Sequence, residues 1–149
     1  MKGIEVMKEV IGYTTGVFDM FHIGHLNILK RAKEQCDYLI VGVSTDELVE
    51  NYKCKRPIIP YKERVAIVEA IRYVDKVVPQ TSMDKLVAWN ELHFDVMFHG
   101  SDWQNSDMYN KVIEDLKQVG AKVVFLPHTE GVSSTLLSET LQSIKEAHD

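Results

Sequence analysis

Cysteine is scarce, and the two present, Cys36 and Cys54, form no Cys-x-x-Cys pair and flank no histidine at ligand spacing. That argues against a disulfide framework and a cysteine-based zinc site; both are read as reduced thiols without assigned chemistry. The chain also lacks any Lys/Arg block, and its formal net charge is −5. A nucleic-acid surface, which rests on clustered cations, is therefore not expected. No apolar run approaches the roughly 20 residues that span a bilayer, and the first nine residues, MKGIEVMKE, hold no signal-peptide core. A cytoplasmic protein with no membrane partner is the expectation. Internal repeats, low-complexity tracts and interdomain linkers are missing too. What remains, 149 residues of which 45% are hydrophobic, fits one domain around one core.

Short apolar runs alternate with helical patterns along that domain. Strands are expected at Val10 to Thr14, Tyr38 to Val43, Lys76 to Val78, Val96 to Phe98 and Lys122 to Leu126. They are continuous apolar runs, as in strands buried on both faces. Between them, Leu26-Leu29-Ala32, Val65-Val68-Ile71, Leu86-Val87-Asn90 and Val112-Ile113-Leu116 each fill one helical face, and a last helix is expected over Ser133 to Ala147. The alternation predicts right-handed βαβ units: a single Rossmann-like α/β domain, a five-stranded parallel sheet with helices on both faces. Ligands of such sheets sit outside the carboxyl ends of the strands.

His22-Ile23-Gly24-His25 falls in that region, after the first strand and at the start of the first helix. Free backbone N–H groups and the positive end of a helix dipole favour an anion there. Two imidazoles add donors that strengthen onto oxygens as charge builds in a transition state. His-x-x-His by itself is shared by phosphate sites, metal pairs and unrelated surface residues. Three further segments bear on the choice. Lys53-Cys54-Lys55-Arg56-Pro57 is the densest cationic spot; it reads as a mobile, solvated loop, or as cations that neutralise phosphates. Gly100-Ser101-Asp102-Trp103 follows the fourth strand and suits either a site loop or a helix cap with packing. His128-Thr129-Glu130-Gly131-Val132-Ser133-Ser134-Thr135 offers hydroxyls and amides to phosphate oxygens, though a helix cap at Ser133 or Ser134 accounts for part of it.

Taken together, Gly16-Val17-Phe18-Asp19, His22 to His25, Arg72-Tyr73-Val74-Asp75, Gly100 to Trp103 and Thr129 to Thr135 resemble the cytidylyltransferase family, in order, from about Glu9 to Leu141. H-x-G-H alone is shared with other nucleotidylyltransferases, including adenylyl-transferring ones; its combination with R-Y-V-D and T-E-G-V-S-S-T is more specific. The resemblance makes residues 1–9 an N-terminal extension, with Met7-Lys8 an alternative start, and 10–149 the nucleotide-binding domain.

The resemblance implies an enzyme that transfers CMP from CTP to a small phosphorylated alcohol, most like the members acting on glycerol 3-phosphate, with pyrophosphate leaving. The acceptor phosphate is already an anion, so catalysis rests on alignment and charge neutralisation without a covalent intermediate. His22 and His25 would hold the α-phosphate region and the bridging oxygen, with Ile23 and Gly24 between them. Gly16, Val17 and Phe18 would approach the nucleotide through backbone. Lys55 would meet the CTP phosphates, Lys53 the acceptor, and Lys85 the acceptor phosphate as well; Mg²⁺ would travel on the nucleotide. Arg72 and Asp75 would support the site or a subunit contact, and Asp102 with His128 to Thr135 would line the nucleotide pocket. A homodimer is implied, and a CDP-glycerol product would feed teichoic-acid-like polymers or other surface glycans.

Two positions depart from the family pattern. His128 replaces the usual Arg and offers no guanidinium fork, which predicts weaker or pH-sensitive phosphate binding. Val17 replaces a common Thr and removes one hydroxyl. The segment Arg56-Pro57-Ile58-Ile59-Pro60-Tyr61 is also similar to the ethanolamine-phosphate enzymes. Phosphoethanolamine, phosphocholine or another polyol phosphate as acceptor, adenylyl transfer from ATP, and a nucleotide-binding module without turnover are the alternatives.

Overall fold

The computed structural model describes residues 8–127 and 139–144. Five parallel strands run β1 (Ile11–Gly16), β2 (Tyr38–Ser44), β3 (Lys76–Gln80), β4 (Val96–Gly100) and β5 (Lys122–Leu126), in the order β3-β2-β1-β4-β5. The helices are α1 (Ile23–Glu34), α2 (Asp46–Lys53), α3 (Tyr61–Glu69), α4 (Lys85–Leu92) and α5 (Asp107–Lys117). Residues 139–144 are helical, inside the span expected for the last helix; the rest of that span lies outside the described residues. The order reverses beside β1, which opens a crevice at the carboxyl ends of β1 and β4.

Alternation along the strands divides the core in two. Leu39, Val41 and Val43 of β2 with Val96 and Phe98 of β4 pack on one face with Leu29 and Ala32 of α1 and Val68 of α3. Tyr13, Ile40 and Met97 face the other way, against Tyr109, Val112 and Leu116 of α5. Two glycines are required by contact: a Cβ at Gly12 would stand 2.7 Å from Cys36 Sγ, and one at Gly42 would stand 2.5 Å from the Tyr13 hydroxyl. Aspartates hold the opposite, amino edge of the sheet. Asp95 accepts from Ile11 N (2.9 Å) and Asp75 from Leu39 N (2.8 Å).

Every expected strand is present, and β1 to β4 each continue one or two residues past the apolar run, to Gly16, Ser44, Gln80 and Gly100. Backbone pairing carries on after side-chain hydrophobicity stops. The helix α2 is a correction, because Lys53 ends a helix and does not begin a loop. Thr45 Oγ1 caps α2 by accepting from Leu48 N at 3.2 Å, and Asp46 and Glu47 favour its N-terminus. Cys54 closes it in the left-handed region at φ 58°. Among the described residues no helix is long and apolar enough to cross a membrane.

Candidate active site

At the start of α1, His22 is the N-cap. Its Nδ1 accepts from Gly24 N (3.0 Å), and His25 Nδ1 accepts from His22 N (3.2 Å), so each imidazole satisfies a backbone donor that the helix leaves open. The rings stack with centroids 3.9 Å apart. A nitrogen that accepts carries no proton, so the neutral ring keeps its hydrogen on Nε2. His22 Nε2 is buried without a hydrogen-bond partner. Burial lowers the pKa of His22; burial, followed by the neighbouring His22, lowers that of His25 to about 3. Near neutral pH the pair therefore consists of uncharged imidazoles whose Nε2–H groups are donors. This is the arrangement that stabilises charge developing on a phosphate oxygen.

The loop leaving β1 is held from behind. Arg64, 1% exposed on α3, donates to Val17 O (2.6 Å), Ser44 O (2.8 Å), Ile59 O (2.8 Å) and Asp46 Oδ1 (2.7 Å). Asp19 accepts from Ile58 N (2.8 Å) and Ile59 N (2.9 Å). One buried guanidinium and one buried carboxylate thus join the loops after β1, β2 and α2. Phe18 adopts φ 54° within this clasp and its ring meets His25 edge-on at 5.4 Å. A Cβ on Gly16 would lie 3.0 Å from that ring, which is why the turn takes glycine.

In front of the loop lies a cavity of about 500 Å³ at the carboxyl ends of the strands. Gly16, Val17, Phe18, Asp19, His25, Lys53 and Lys85 line it together with Trp103, Tyr109, Gln80 and His99. Lys85 is 5% exposed, and its Nζ lies 3.4 Å from Thr15 Oγ1. Burial lowers its pKa to about 8, with Asp84 opposing. For Lys53 burial again lowers the pKa, Lys55 adds to this and Asp19 opposes it. Two lysines lining one cavity, Lys85 buried and Lys53 exposed, suit anionic ligands.

The structure thus gathers Gly16, Val17, Phe18, His25, Lys53 and Lys85 around one space, with His22 stacked behind His25. Ile23 and Gly24 form the first turn of α1. Lys55 is exposed two residues beyond the end of α2, and Asp102 is exposed in a 3₁₀ turn, Ser101–Trp103, whose Trp103 lines the cavity. The carbonyl of Val17 is occupied by Arg64, so only its remaining backbone can face a ligand. Arg72 and Asp75 lie before β3, at the amino edge of the sheet opposite the cavity. Arg72 Nη2 donates to Tyr73 Oη (3.1 Å), and Asp75 pairs with Lys33 Nζ at 2.6 Å. Their position suits support of the sheet, not contact with a nucleotide in this cavity. His128, Thr129, Glu130, Gly131, Val132, Ser133, Ser134 and Thr135 lie outside the described residues. Sequence reasoning passed over Arg64, Gln80 and His99. Gln80 and His99 stand just past the ends of the expected strands, and Arg64 follows Lys62 and Glu63 in what reads as a charged helix face.

Among the described residues no three His, Cys, Asp or Glu side chains converge as a cation cage. The donors described around the cavity are N–H groups and ammonium ions, which suit phosphate oxygens.

A cavity of about 500 Å³, a helix N-terminus carrying two imidazoles and two lysines stand together at the carboxyl ends of a Rossmann-like sheet, a setting suited to a phosphorylated ligand. The chain belongs to the cytidylyltransferase-like family, whose model matches residues 13–140, and it is an enzyme. It is 38% identical over 139 residues to glycerol-3-phosphate cytidylyltransferase of Bacillus subtilis (strain 168), covering 93% of this chain and all of that one. It is 34% identical to ethanolamine-phosphate cytidylyltransferase of Mus musculus, over 99% of this chain but 36% of that protein. It is 37% identical to FAD synthase of Pyrococcus abyssi (strain GE5 / Orsay), over 98% of this chain and 97% of that one. Among solved structures, the lipopolysaccharide core biosynthesis protein from Thermoplasma volcanium GSS1 superposes with a TM-score of 0.69 at 27% identity, over 82% of this chain and 98% of that one.

Proposed function

We propose that the chain transfers CMP from CTP to glycerol 3-phosphate, giving CDP-glycerol and pyrophosphate. The observation that carries the reading is the pair of neutral imidazoles at the N-terminus of α1, whose Nδ1 atoms are taken by backbone donors so that each ring keeps its proton on Nε2. A phosphate oxygen of the acceptor attacks the α-phosphorus of MgCTP in line. The bond to the α,β-bridging oxygen breaks, and its electron pair leaves with pyrophosphate. The nucleophile needs no base, because it is already an anion; His22 and His25 donate to the oxygens that gain charge. Lys53 and Lys85 hold the acceptor phosphate, and Lys55 meets the triphosphate from the rim. The family match and the glycerol-3-phosphate relative support this nucleotide and this acceptor.

A second reading keeps the mechanism and changes a substrate, to phosphoethanolamine or to ATP, and the mouse and Pyrococcus relatives favour testing it. Pyrophosphate release with CTP, Mg²⁺ and glycerol 3-phosphate, beside an ATP control and a panel of acceptors, separates the two. His22→Ala is expected to lower the rate by about 100-fold to 1000-fold. CTP binding with no release under any acceptor refutes turnover. A cytoplasmic homodimer completes the reading; a monomer in light scattering at micromolar concentration refutes the dimer.

A further inference from the structure

On the face that carries α4 and α5, strand alternation places one polar side chain at the exit of each of four strands. Thr15, Ser44, Gln80 and His99 stand an even number of residues beyond Tyr13, Ile40, Val78 and Met97, which pack in that half of the core. All four line the cavity. Two have partners: Thr15 Oγ1 meets Lys85 Nζ, and Ser44 hydrogen-bonds the Tyr52 hydroxyl. Each of the other two leaves one polar atom unpaired. Gln80 Oε1 and His99 Nδ1 are buried without a hydrogen-bond partner.

Leaving buried polar atoms unpaired is costly, and such atoms call for an explanation. The amide of Gln80 cannot remedy its state by turning over. Its Nε2 donates to Ser82 O (3.3 Å) and lies 3.5 Å from Met83 Sδ, so a flip would set oxygen against oxygen. Gln80 therefore presents an acceptor to the cavity. Burial, with Lys85 next, lowers the pKa of His99 to about 4, against smaller contributions from the Gly100 backbone and Asp102. A neutral imidazole offers one donor and one acceptor. Trp103 and Tyr109 pack on its ring at 5.9 and 4.8 Å and fix its place.

A group that both donates and accepts, and carries no charge, satisfies this pair: a hydroxyl. An ammonium fits less well, because Lys85 shares the cavity. The acidic side chain among the lining residues, Asp19, already accepts two backbone N–H bonds.

We propose that Gln80 and His99 bind the hydroxyl groups of the acceptor, so that the site selects a polyol phosphate over an alkyl or amino-alcohol phosphate. The inference rests on the cytidylyl-transfer reading above and adds which residues read the alcohol end. Lys85, which lines the same cavity, would take the phosphate end.

Steady-state pyrophosphate release by the full chain, with MgCTP and either glycerol 3-phosphate, n-propyl phosphate or phosphoethanolamine, tests it. The wild type is expected to prefer glycerol 3-phosphate over n-propyl phosphate by at least about 100-fold in kcat/KM, as sites built around a substrate hydroxyl do. Gln80→Leu and His99→Phe are each expected to raise KM for glycerol 3-phosphate about 10-fold and to shrink that preference, leaving KM for CTP unchanged. His99→Asn, which keeps a polar atom near the Nδ1 position, is expected to restore most of it. A wild-type preference below about threefold overturns the inference without reference to any variant. So does wild-type turnover of glycerol 3-phosphate with the preference intact in both apolar variants; the function reading then stands. A wild type that uses phosphoethanolamine, or no acceptor, in place of glycerol 3-phosphate overturns both.

Discussion

Lys85→Met is expected to make the protein more stable and a poorer enzyme. Lys85 is 5% exposed, and burial takes its pKa from 10.5 to about 8. At pH 7 the ammonium is still charged, so the folded state carries the full cost of holding it in the cavity. At 1.36 kcal/mol per pH unit, that cost is about 3 kcal/mol. Methionine has similar length and no charge. Losing the 3.4 Å contact with Thr15 and repacking the thioether offset about 1 kcal/mol of the gain. The net is about 2 kcal/mol, or roughly 4–8 °C in melting temperature for a chain of this size.

The sign has a pH signature. The folded pKa is depressed, so between pH 8 and 10.5 the unfolded chain holds a proton that the folded chain has released. Wild-type stability therefore rises across that window, and the advantage of Lys85→Met fades by about pH 10.5. Melting curves of both proteins at pH 7 and 10.5, without ligand, measure it. The same variant is expected to raise KM for the acceptor by at least 10-fold. A variant no more stable than wild type at pH 7, or an advantage independent of pH, refutes the reasoning.

Two further outcomes follow from the same geometry. Arg64→Met strips four acceptors of one buried donor, and is expected to cost about 3–5 kcal/mol in chemical denaturation and to raise KM for CTP through the loosened loop after β1; a change below 1 kcal/mol would show that the clasp is not what holds the loop. For His25, with a folded pKa of about 3 set by burial and then by His22, stability is complete above about pH 6.5 and falls as acid protonates the unfolded chain first. Between pH 6.5 and 5 the wild type is expected to lose about 2 kcal/mol more than His25→Gln in urea unfolding, and equal losses would contradict the buried neutral imidazole.

The apolar runs were enough to read the sheet, because strands covered on both faces must be hydrophobic throughout. They misplaced its carboxyl edge for the same reason. Thr15, Ser44, Gln80 and His99 continue the pairing but break the apolar pattern, so the reading stopped short of the residues that line the cavity. The helix α2 was passed over since Val49 is its one fully buried residue and its charges resemble a loop; Thr45 followed by Asp46 and Glu47 was the legible cap. The imidazoles were found through their spacing, a local property. Arg64 was not, since a cation in Tyr61-Lys62-Glu63-Arg64 looks like an exposed helix face until Val17, Ser44 and Ile59 are brought to it by the fold.

The two histidines at the head of α1 also tie rate to architecture. The nitrogen that starts the helix and the nitrogen that would touch a phosphate belong to one ring, so the protonation state of the donor is inherited from the backbone. A drift in helix geometry would be felt as a tautomer error before it was felt as unfolding. Any residue replacing His22 has to be both a cap and a donor at fixed separation, a demand that few side chains meet, whereas the strand-exit positions on the other face can be exchanged one at a time. Chemistry is thereby held constant while substrate choice is left open to change.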